Sequence, residues 1–304
     1  MKAILISSPG PPRKPTHRPQ HPPPDPDPRH RPHPHPRLWH QPRRDAHAPR
    51  RVGRVSVPMS GIECVGTVDA CPGGEFVPGT PVAAVMGYTV VRVGNVEGVL
   101  PWAELAALPE SYCTAWTCLF RNLGLKMGQR LLIRGASSAF GRAALNLAVD
   151  AGAVVTATTR SEGKFAELKA LGAADAVLEG AGLPGRLRES GREDRFDAVL
   201  ELVGNSTVVE SLTLVKRDGR LCLAGWLGGL DPIKDFNPLL QMASGVHFSF
   251  FGSFVFGTPD IVRAVADGKF DAKPFKVFKF DEIQEAHRYM EDGRARGKMV
   301  VVVD

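Results

Sequence analysis

A short glycine-containing turn carries the clearest chemical signal in this sequence. The apolar run Leu131–Arg134 leads into Gly-Ala-Ser-Ser-Ala-Phe-Gly at 135–141, and a helix-like segment begins directly afterwards. Small residues in a turn between a strand and a helix let the backbone approach a pyrophosphate, while the N–H groups of the helix N-terminus face the anion. The match to Gly-x-Gly-x-x-Gly is partial, because Ala136 and Ser138 occupy the first two glycine positions and only Gly141 keeps the third. The predicted cofactor contacts in this turn are Gly135, Ser137, Ser138, Ala139, Phe140 and Gly141.

A second group of residues indicates which dinucleotide would bind. An NAD site calls for an acidic residue about 20 positions after the turn, at the tip of the next strand, where it holds the ribose hydroxyls. Here the tip carries Arg160, Ser161 and Lys164, which can meet a 2′-phosphate through charge and hydrogen bonds. Glu162 argues the other way, although an early helix residue of this type also favours a helix N-terminus. We predict NADP(H) as the cofactor; the alternative is that the two cations are solvated surface charges.

The elements around these residues alternate in a regular way from residue 128 onward. Short continuous apolar runs alternate with helix-like segments, which indicates parallel strands buried on both faces. The predicted strands are Leu131–Arg134, Val154–Thr158, Ala176–Leu178, Ala198–Val203, Leu221–Ala224 and Val246–Phe250. The predicted helices are Arg142–Ala151, Glu162–Leu171, Thr207–Val215 and Pro238–Ser244. Six strands in this arrangement predict an α/β fold with a doubly wound dinucleotide-binding sheet, so the turn at 135–141 has the context that cofactor binding requires.

The flanking segments have a different pattern. Ile62–Ala70, Pro81–Met86 and Tyr88–Val93 are short strands separated by glycine and proline, which suggests part of a small β domain. We predict a mostly helical segment over Leu105–Leu123, interrupted at Pro109, a helix over Phe280–Asp292, and a last strand over Lys298–Val303 that returns to the first domain. The apolar run at 1–7 is too short for a secretory signal and is predicted as a first strand.

Composition separates one segment from the rest of the chain. Residues 13–60 hold 13 of the 26 prolines and 7 of the 9 histidines, with 11 Lys and Arg against 3 Asp. The remainder carries 27 basic and 29 acidic residues, so the high pI belongs to one segment and does not indicate a nucleic-acid partner. The segment cannot bury enough apolar surface to fold and is predicted to be disordered.

The remaining composition favours a cytosolic protein. No run of about 18 apolar residues is present, so no membrane partner is expected. The five cysteines are odd in number and show no Cys-x-x-Cys spacing, which favours reduced thiols and a cytoplasmic location.

From residue 61 onward the chain resembles the medium-chain dehydrogenase/reductase superfamily, in its zinc-independent quinone-oxidoreductase and enoyl-reductase branch. The stretches that carry the resemblance occur in family order; besides the turn at 135–141 they are Gly61–Val68, Ala106–Pro109 with Thr114–Trp116, Leu171–Ala173 and Gly297–Val300. The resemblance implies a GroES-like catalytic domain, here truncated, beside a Rossmann domain. The corresponding domain prediction is 1–12 as a first strand, 13–60 disordered, 61–105 the GroES-like remnant, 106–270 the Rossmann domain, and 271–304 the return to the catalytic domain.

The resemblance also bears on metal binding. Zinc-dependent members have Gly-His-Glu where this chain has Gly61-Ile62-Glu63, and an isoleucine has no donor atom for a metal. The cysteine cluster of the structural zinc site is missing as well, and His247 and His287 stand alone in the sequence. We therefore predict no metal site.

The same resemblance implies hydride transfer from NADPH to a quinone or to an activated C=C bond of an enone or enoyl substrate. It places Val203, Gly204 and Gly225 along the nicotinamide half of the cofactor, and Lys298 as a further cofactor contact. Phe251 to Phe256 would wall the substrate side, or else lie in the core or a dimer interface. It also implies a homodimer through the sheet edge near 246–256. The catalytic acid is unknown. The alternatives left open are a cofactor-binding protein without turnover and an interaction protein that works through its Pro-rich arm, for example by binding SH3- or WW-type domains.

Two segments depart from the family pattern. Residues 13–60 have close to the length that the family needs at this place, and a one-base shift at Leu38–Arg43 permits Phe-Gly-Ile-Asn-Arg, which resembles the family segment whose Asn contacts the nicotinamide. We therefore predict that 13–60 is translated out of frame. At Met86-Gly87-Tyr88 a glycine-rich loop of about a dozen residues expected from the family is absent.

Overall fold

The computed structural model describes residues 63–69, 71, 73–85, 89–92, 100–189, 195–251, 260–292, 294–295 and 297–303. The predictions for 1–12, 13–60, Gly61, Ile62, Met86–Tyr88 and most of Phe251–Phe256 lie outside these residues. The predicted domain boundaries stay predictions.

A six-stranded sheet forms the centre of the molecule, in the order β6-β5-β4-β7-β8-β9, and every neighbouring pair is parallel. Its strands are β4 Arg130–Arg134, β5 Val154–Thr159, β6 Asp175–Leu178, β7 Phe196–Glu201, β8 Val215–Leu223 and β9 His247–Phe250. The helices between them are α3 Ala139–Asp150, α4 Phe165–Ala170, α5 Leu183–Glu189, α6 Val208–Thr213 and α7 Pro238–Gln241, with a 3₁₀ turn at Glu162–Lys164. The chain starts this sheet in the middle, at β4, builds outward to β6, and then crosses back to β7. The predicted α/β fold with a doubly wound parallel sheet is confirmed.

The core lies on both faces of this sheet. In β4, Leu131 and Ile133 pack on one side with residues of α3, and Leu132 packs on the other side with residues of α5 and α6. All three side chains are fully buried. The continuous apolar strands of the sequence reflect this burial on both faces, because no residue of a central strand needs to face water.

Two smaller sheets flank the large one. Strands β1 Glu63–Thr67, β2 Pro81–Val85 and β3 Thr89–Arg92 pair antiparallel, and helices α1 Trp102–Leu105 and α2 Pro109–Trp116 follow, with a π-helical turn at Thr117–Asn122. Near the end of the chain come α8 Asp260–Ala266, β10 Lys276–Lys279, a 3₁₀ turn at Phe280–Glu282, α9 Ile283–Glu291 and β11 Met299–Val302.

The structure differs from the predicted elements in several places. Val215 begins β8 instead of ending α6, and β8 is longer than expected because it includes a charged stretch. Helices α5 and α8 and strand β10 were not predicted at all. In the described part of the chain, β11 pairs with β10 in parallel, and the side chain of Lys298, just before β11, reaches Glu63 in β1. The predicted return of this strand to the first domain stays a prediction.

Candidate functional site

The turn after β4 is held in the shape that the sequence suggested. Ser138 caps α3: its Oγ accepts a hydrogen bond from Gly141 N at 3.0 Å and donates one to Gly135 O at 2.9 Å. A Cβ built on Gly141 would lie 2.6 Å from both the Cα of Ala136 and the O of Gly135, so only glycine fits there. The backbone of the turn thus folds tightly over the start of α3, a geometry that suits an anion bound at the N–H groups of a helix N-terminus.

The tip of β5 adjoins this turn. Thr159 Oγ1 donates to Ser137 Oγ at 3.0 Å, and Arg160 and Ser161 follow on the exposed surface. Together with Lys164 they line one pocket of about 650 Å³. The structure therefore brings Ser137 of the glycine turn beside the two cations predicted to meet a 2′-phosphate.

Three residues of the same pocket were not predicted. Phe275, Tyr289 and Arg294 line it from the C-terminal part of the chain. The Cζ atom of Arg294 lies 4.3 Å from the centre of the Tyr289 ring, a cation–π distance. These residues lie more than 100 positions beyond the glycine turn, and no spacing in the sequence links them to it.

The predicted nicotinamide-side turns lie at the ends of β7 and β8 and contact one another. Gly204 adopts a φ of +113°, and a Cβ on it would lie 3.0 Å from Gly225 O. A Cβ on Gly225 would lie 2.4 Å from Leu202 O. Val203 O accepts a hydrogen bond from Gly228 N at 2.7 Å. The two turns therefore form one compact corner at the same edge of the sheet as the glycine turn.

A buried ionic network lies beneath the glycine turn and the corner formed by Val203, Gly204 and Gly225. Arg134, the last residue of β4, is fully buried, and its Nε and Nη2 donate to the two carboxylate oxygens of Glu179 at 3.2 and 2.5 Å. Its Nη1 donates to Ser211 Oγ at 2.9 Å and pairs with Glu210 at 2.9 Å. Glu201, the last residue of β7, is also fully buried, with its Oε2 3.7 Å from Arg134 Nε. This network was missed, although a charged residue that ends an otherwise apolar strand is a visible signal in the sequence.

The network shifts the pKa values of its members in different directions. Burial raises the pKa of Glu201 more than Arg134 and the neighbouring donors lower it. Burial acts on Glu179 in the same sense, but Arg134, Thr158 and Gly180 N–H together hold its pKa below the usual value. Burial also opposes the charge of Arg134, and the three carboxylates outweigh it, so the pKa of Arg134 is raised.

Lys298 lies in a separate cluster and does not line the pocket of Arg160. Its Nζ donates to Glu63 and, at 3.1 Å, to Ser111 Oγ, and it lies 3.9 Å from Glu110. Glu63 also accepts a hydrogen bond from Glu110 N at 2.8 Å. Burial, the largest effect, raises the pKa of Glu110 even though Lys298 lies nearby. The cluster links β1, α2 and the start of β11; the predicted contact of Lys298 with a cofactor stays a prediction.

Several other features bear on the predicted classes. Within the described residues no group of three or more His, Cys, Asp or Glu side chains is placed to hold a metal ion. The five cysteines, all described, are free thiols, and Cys113, Cys118 and Cys222 are buried. Among the described helices, none has the length and apolar character to cross a bilayer.

Comparison with known proteins gives one family match and one set of similar folds. Residues 171–301 match the family described as zinc-binding dehydrogenase. A polyketide synthase of Streptomyces halstedii, GfsB, is 28% identical over 222 residues, which make up 70% of this chain and only 4% of that protein. This chain thus spans a small part of that relative's length.

Solved structures of similar fold include quinone oxidoreductases and an enoyl reductase. The quinone oxidoreductase of Coxiella burnetii aligns with a TM-score of 0.66 and 21% identity over 82% of this chain and 80% of that chain. A mycobacterial protein, Rv1454c, solved as a complex with NADPH, aligns with a TM-score of 0.68 and 21% identity over 80% of this chain and 82% of that chain. At these identities the two alignments show a shared fold.

Proposed function

We propose that this chain is an NADPH-dependent oxidoreductase of the medium-chain dehydrogenase/reductase kind, which reduces a quinone or an activated C=C bond without zinc. The observation that supports this most is the pocket in which Arg160 and Lys164 lie beside Ser137 of the glycine turn. A pocket lined by Arg160 and Lys164, with Ser137 of the turn before α3 beside them, suits the 2′-phosphate end of NADPH.

The chain's own residues would bind and orient the cofactor. The turn at 135–141 would receive the pyrophosphate on backbone N–H groups, and Arg160, Ser161 and Lys164 would hold the 2′-phosphate. The corner formed by Val203, Gly204 and Gly225 would support the nicotinamide end. Bound NADPH would supply the hydride that reduces the substrate. Positioning accounts for most of what the protein has to do in such a reaction, and we assign no proton donor.

The test compares NADPH and NADH as cofactors of the full chain. We expect NADPH to bind with a clearly lower dissociation constant, and a quinone or an enone to be reduced with NADPH consumed in equal amount. Arg160→Ala removes a charge-assisted contact worth about 1.5–3 kcal/mol, so the dissociation constant for NADPH should rise about 10- to 100-fold while that for NADH stays unchanged. Arg217→Ala is the matched control, because Arg217 is an exposed arginine of β8 outside the pocket.

The possible results separate the proposed function from its rivals. Failure of the wild-type protein to bind either nucleotide would refute the proposal. Binding of NADPH without oxidation by any quinone or enone would favour a cofactor-binding protein without turnover. Unchanged activity after treatment with EDTA would support the absence of zinc, and a loss restored by Zn²⁺ would contradict it.

We also propose a homodimer in the cytosol. Strand β9 pairs with β8, and within the described residues it has no neighbour on its other side. Phe250 in this strand is 65% exposed, and an unpaired apolar edge of this kind favours pairing with another strand. Light scattering should give twice the mass of the chain, and Phe250→Ser should shift the mass toward the monomer. A wild-type monomer at micromolar concentration would contradict the dimer.

A further inference from the structure

Three ionisable side chains beneath the proposed cofactor site are not among the residues proposed to contact the cofactor. Arg134, Glu179 and Glu201 lie at the carboxyl ends of β4, β6 and β7, and the side chains of Arg134 and Glu201 are fully buried while that of Glu179 is 5% exposed. Buried ion pairs are a weak source of stability, because apolar residues of similar volume often serve as well or better. The position of this network therefore calls for an explanation other than stability.

The network is bonded to the glycine turn on one side. Thr158 Oγ1 accepts a hydrogen bond from Gly135 N at 3.1 Å and donates one to Glu179 Oε2. Glu179 in turn receives both donors of the Arg134 fork. A single chain of contacts thus runs from the guanidinium to the first backbone N–H of the proposed pyrophosphate site.

On its other side the network is bonded to the nicotinamide-side corner. Glu201 Oε1 accepts hydrogen bonds from Val203 N at 2.8 Å and from Gly204 N at 3.1 Å, and its Oε2 accepts one from Ser211 Oγ. Arg134 Nη1 donates to the same Ser211 Oγ and lies 3.4 Å from Thr207 O. The guanidinium of Arg134 therefore connects to the glycine turn through Glu179 and to the Val203–Gly204 corner through Ser211 and Glu201.

The positive charge of the guanidinium also affects the electrostatics of the proposed pyrophosphate site. Two buried carboxylates lie directly below a turn that would hold a pyrophosphate dianion, and like charges in a site of low dielectric constant repel strongly. Arg134 places a positive charge between those carboxylates. Without it, the site would gain uncompensated negative charge where an anion has to bind.

We propose that Arg134 is a positioning residue of the cofactor site: from beneath the sheet edge it fixes the spacing between the glycine turn and the Val203–Gly204 corner, and it offsets part of the negative charge of Glu179 and Glu201 under the pyrophosphate. This inference rests on the proposed NADPH binding. The inference predicts that the two sides of the network affect different properties of the bound cofactor. Thr158 and Glu179 govern how tightly the cofactor binds, and Glu201 governs how its nicotinamide end is held.

The test uses three conservative variants and a control from the opposite edge of the sheet. Arg134→Lys keeps the charge and loses the fork, Thr158→Val loses the acceptor for Gly135 N, and Glu201→Gln loses the charge at nearly constant shape. The control is Asp197→Asn: this carboxylate lies in the same strand as Glu201 and accepts a hydrogen bond from Arg130 N at 2.8 Å, but at the amino edge of the sheet. The readouts are the dissociation constant of NADPH, the fluorescence of its bound nicotinamide, and the thermal midpoint of each variant.

We expect Arg134→Lys and Thr158→Val to raise the dissociation constant about tenfold or more, since small displacements of a binding group have effects of this size. Glu201→Gln should change the nicotinamide fluorescence while the dissociation constant stays within about threefold. Asp197→Asn should change neither quantity, whatever its thermal midpoint.

The possible outcomes are distinct from those of the proposed function. If wild-type protein binds NADPH and both Arg134→Lys and Thr158→Val bind it equally well, the positioning role is wrong while the proposed function stands. If Arg134→Lys does not fold, the positioning role is wrong when Thr158→Val binds NADPH as well as wild type and Glu201→Gln leaves the nicotinamide fluorescence unchanged. If affinity falls in proportion to the thermal midpoint in every variant, Asp197→Asn included, the network is merely structural and the inference is overturned.

Discussion

The two edges of the central sheet treat charged residues in opposite ways. At the amino edge, Asp197 pairs with Lys216, whose side chain is 52% exposed, and Asp175 lies 3.8 Å from Lys169, which is 55% exposed. At the carboxyl edge, β4 ends in Arg134 and β7 ends in Glu201, and both of these residues are fully buried. Each amino-edge pair keeps an exposed lysine, although Asp197 and Asp175 are only 14% and 17% exposed, and partly exposed pairs of this kind are worth about 0–1 kcal/mol each. Desolvated charges are found at the edge where the glycine turn and the Val203–Gly204 corner lie, and this supports a functional rather than a stabilising origin.

The largest expected effect comes from a methyl group at the carboxyl edge. Gly141→Ala would place a Cβ 2.6 Å from backbone atoms of Gly135 and Ala136, so the turn has to shift. We expect the dissociation constant of NADPH to rise more than about 100-fold, because a displacement of about 1 Å has effects of this size. Titration by nucleotide fluorescence measures it.

The matched control is Gly185→Ala in α5, where a Cβ meets nothing within 4 Å. This change should leave NADPH binding unaltered and stabilise the helix by about 0.5–1 kcal/mol. Equal binding by Gly141→Ala and wild type would contradict the placement of the pyrophosphate at this turn.

The contrast between the edges also predicts unequal losses of stability. Arg134→Met leaves Glu179 and Glu201 buried without their partner, so the free energy of unfolding should fall by about 3–5 kcal/mol. Asp197→Asn at the amino edge should cost about 1 kcal/mol, since it weakens one backbone contact and one partly exposed ion pair. Urea unfolding followed by circular dichroism gives both values. Losses of similar size at the two edges would remove the contrast.

Sequence patterns located the elements of this fold better than the contacts between them. Five of the six central strands begin and end within three residues of their predicted bounds, because strands buried on both faces are continuous apolar runs. Strand β10 was missed because a four-residue run with a lysine at each end resembles a loop, and α5 was missed because Pro184 and Gly185 stand inside it.

The candidate site shows the same limit. Arg160, Ser161 and Lys164 were predictable because a strand tip is a local feature placed at a fixed distance after the glycine turn. Tyr289 and Arg294 reach the same pocket only through the packing of α9 and the segment after it, which no periodicity encodes. Arg134 was visible in the sequence as the charged end of a predicted strand, and Glu201 as a charge inside the predicted strand Ala198–Val203, but their pairing depends on β4 and β7 being neighbours in the sheet.

A smaller effect is expected at the rim of the pocket. Arg294→Ala should raise the KM for NADPH by about threefold, less than Arg160→Ala, because Arg294 is exposed and already pairs with Asp292 at 3.1 Å. Arg288→Ala is the matched control, since this exposed arginine lies on α9 and does not line the pocket. Steady-state kinetics with varied NADPH measure both. An effect of Arg288→Ala equal to that of Arg294→Ala would indicate a general loss of positive charge.

The smallest expected effect concerns acid stability. Arg134 and the donors around it hold the pKa of Glu179 below its unfolded value of about 4.3 despite burial, so its contribution is complete above that pH and is lost as the pH falls through the folded pKa. Glu201 changes stability in the opposite direction: because its pKa is raised, its contribution to the free energy of unfolding falls as the pH rises and the side chain has to ionise. Urea midpoints measured from about pH 3 to pH 7 should therefore fall less steeply toward acid in Glu179→Gln than in wild type. An unchanged acid slope would show that Glu179 is not held as an anion.

The crossing of the chain from β6 back to β7 also has a consequence for how this protein folds during synthesis. When residues 130–179 have emerged from the ribosome, three adjacent strands are complete, yet Arg134 has met only Glu179, because Glu201, Glu210 and Ser211 have not yet emerged. A half-sheet with an incompletely bonded guanidinium at its centre is a poor independent folding unit. We therefore expect the nascent chain to gain protease resistance in a single late step, after the whole of β7 and α6 has emerged.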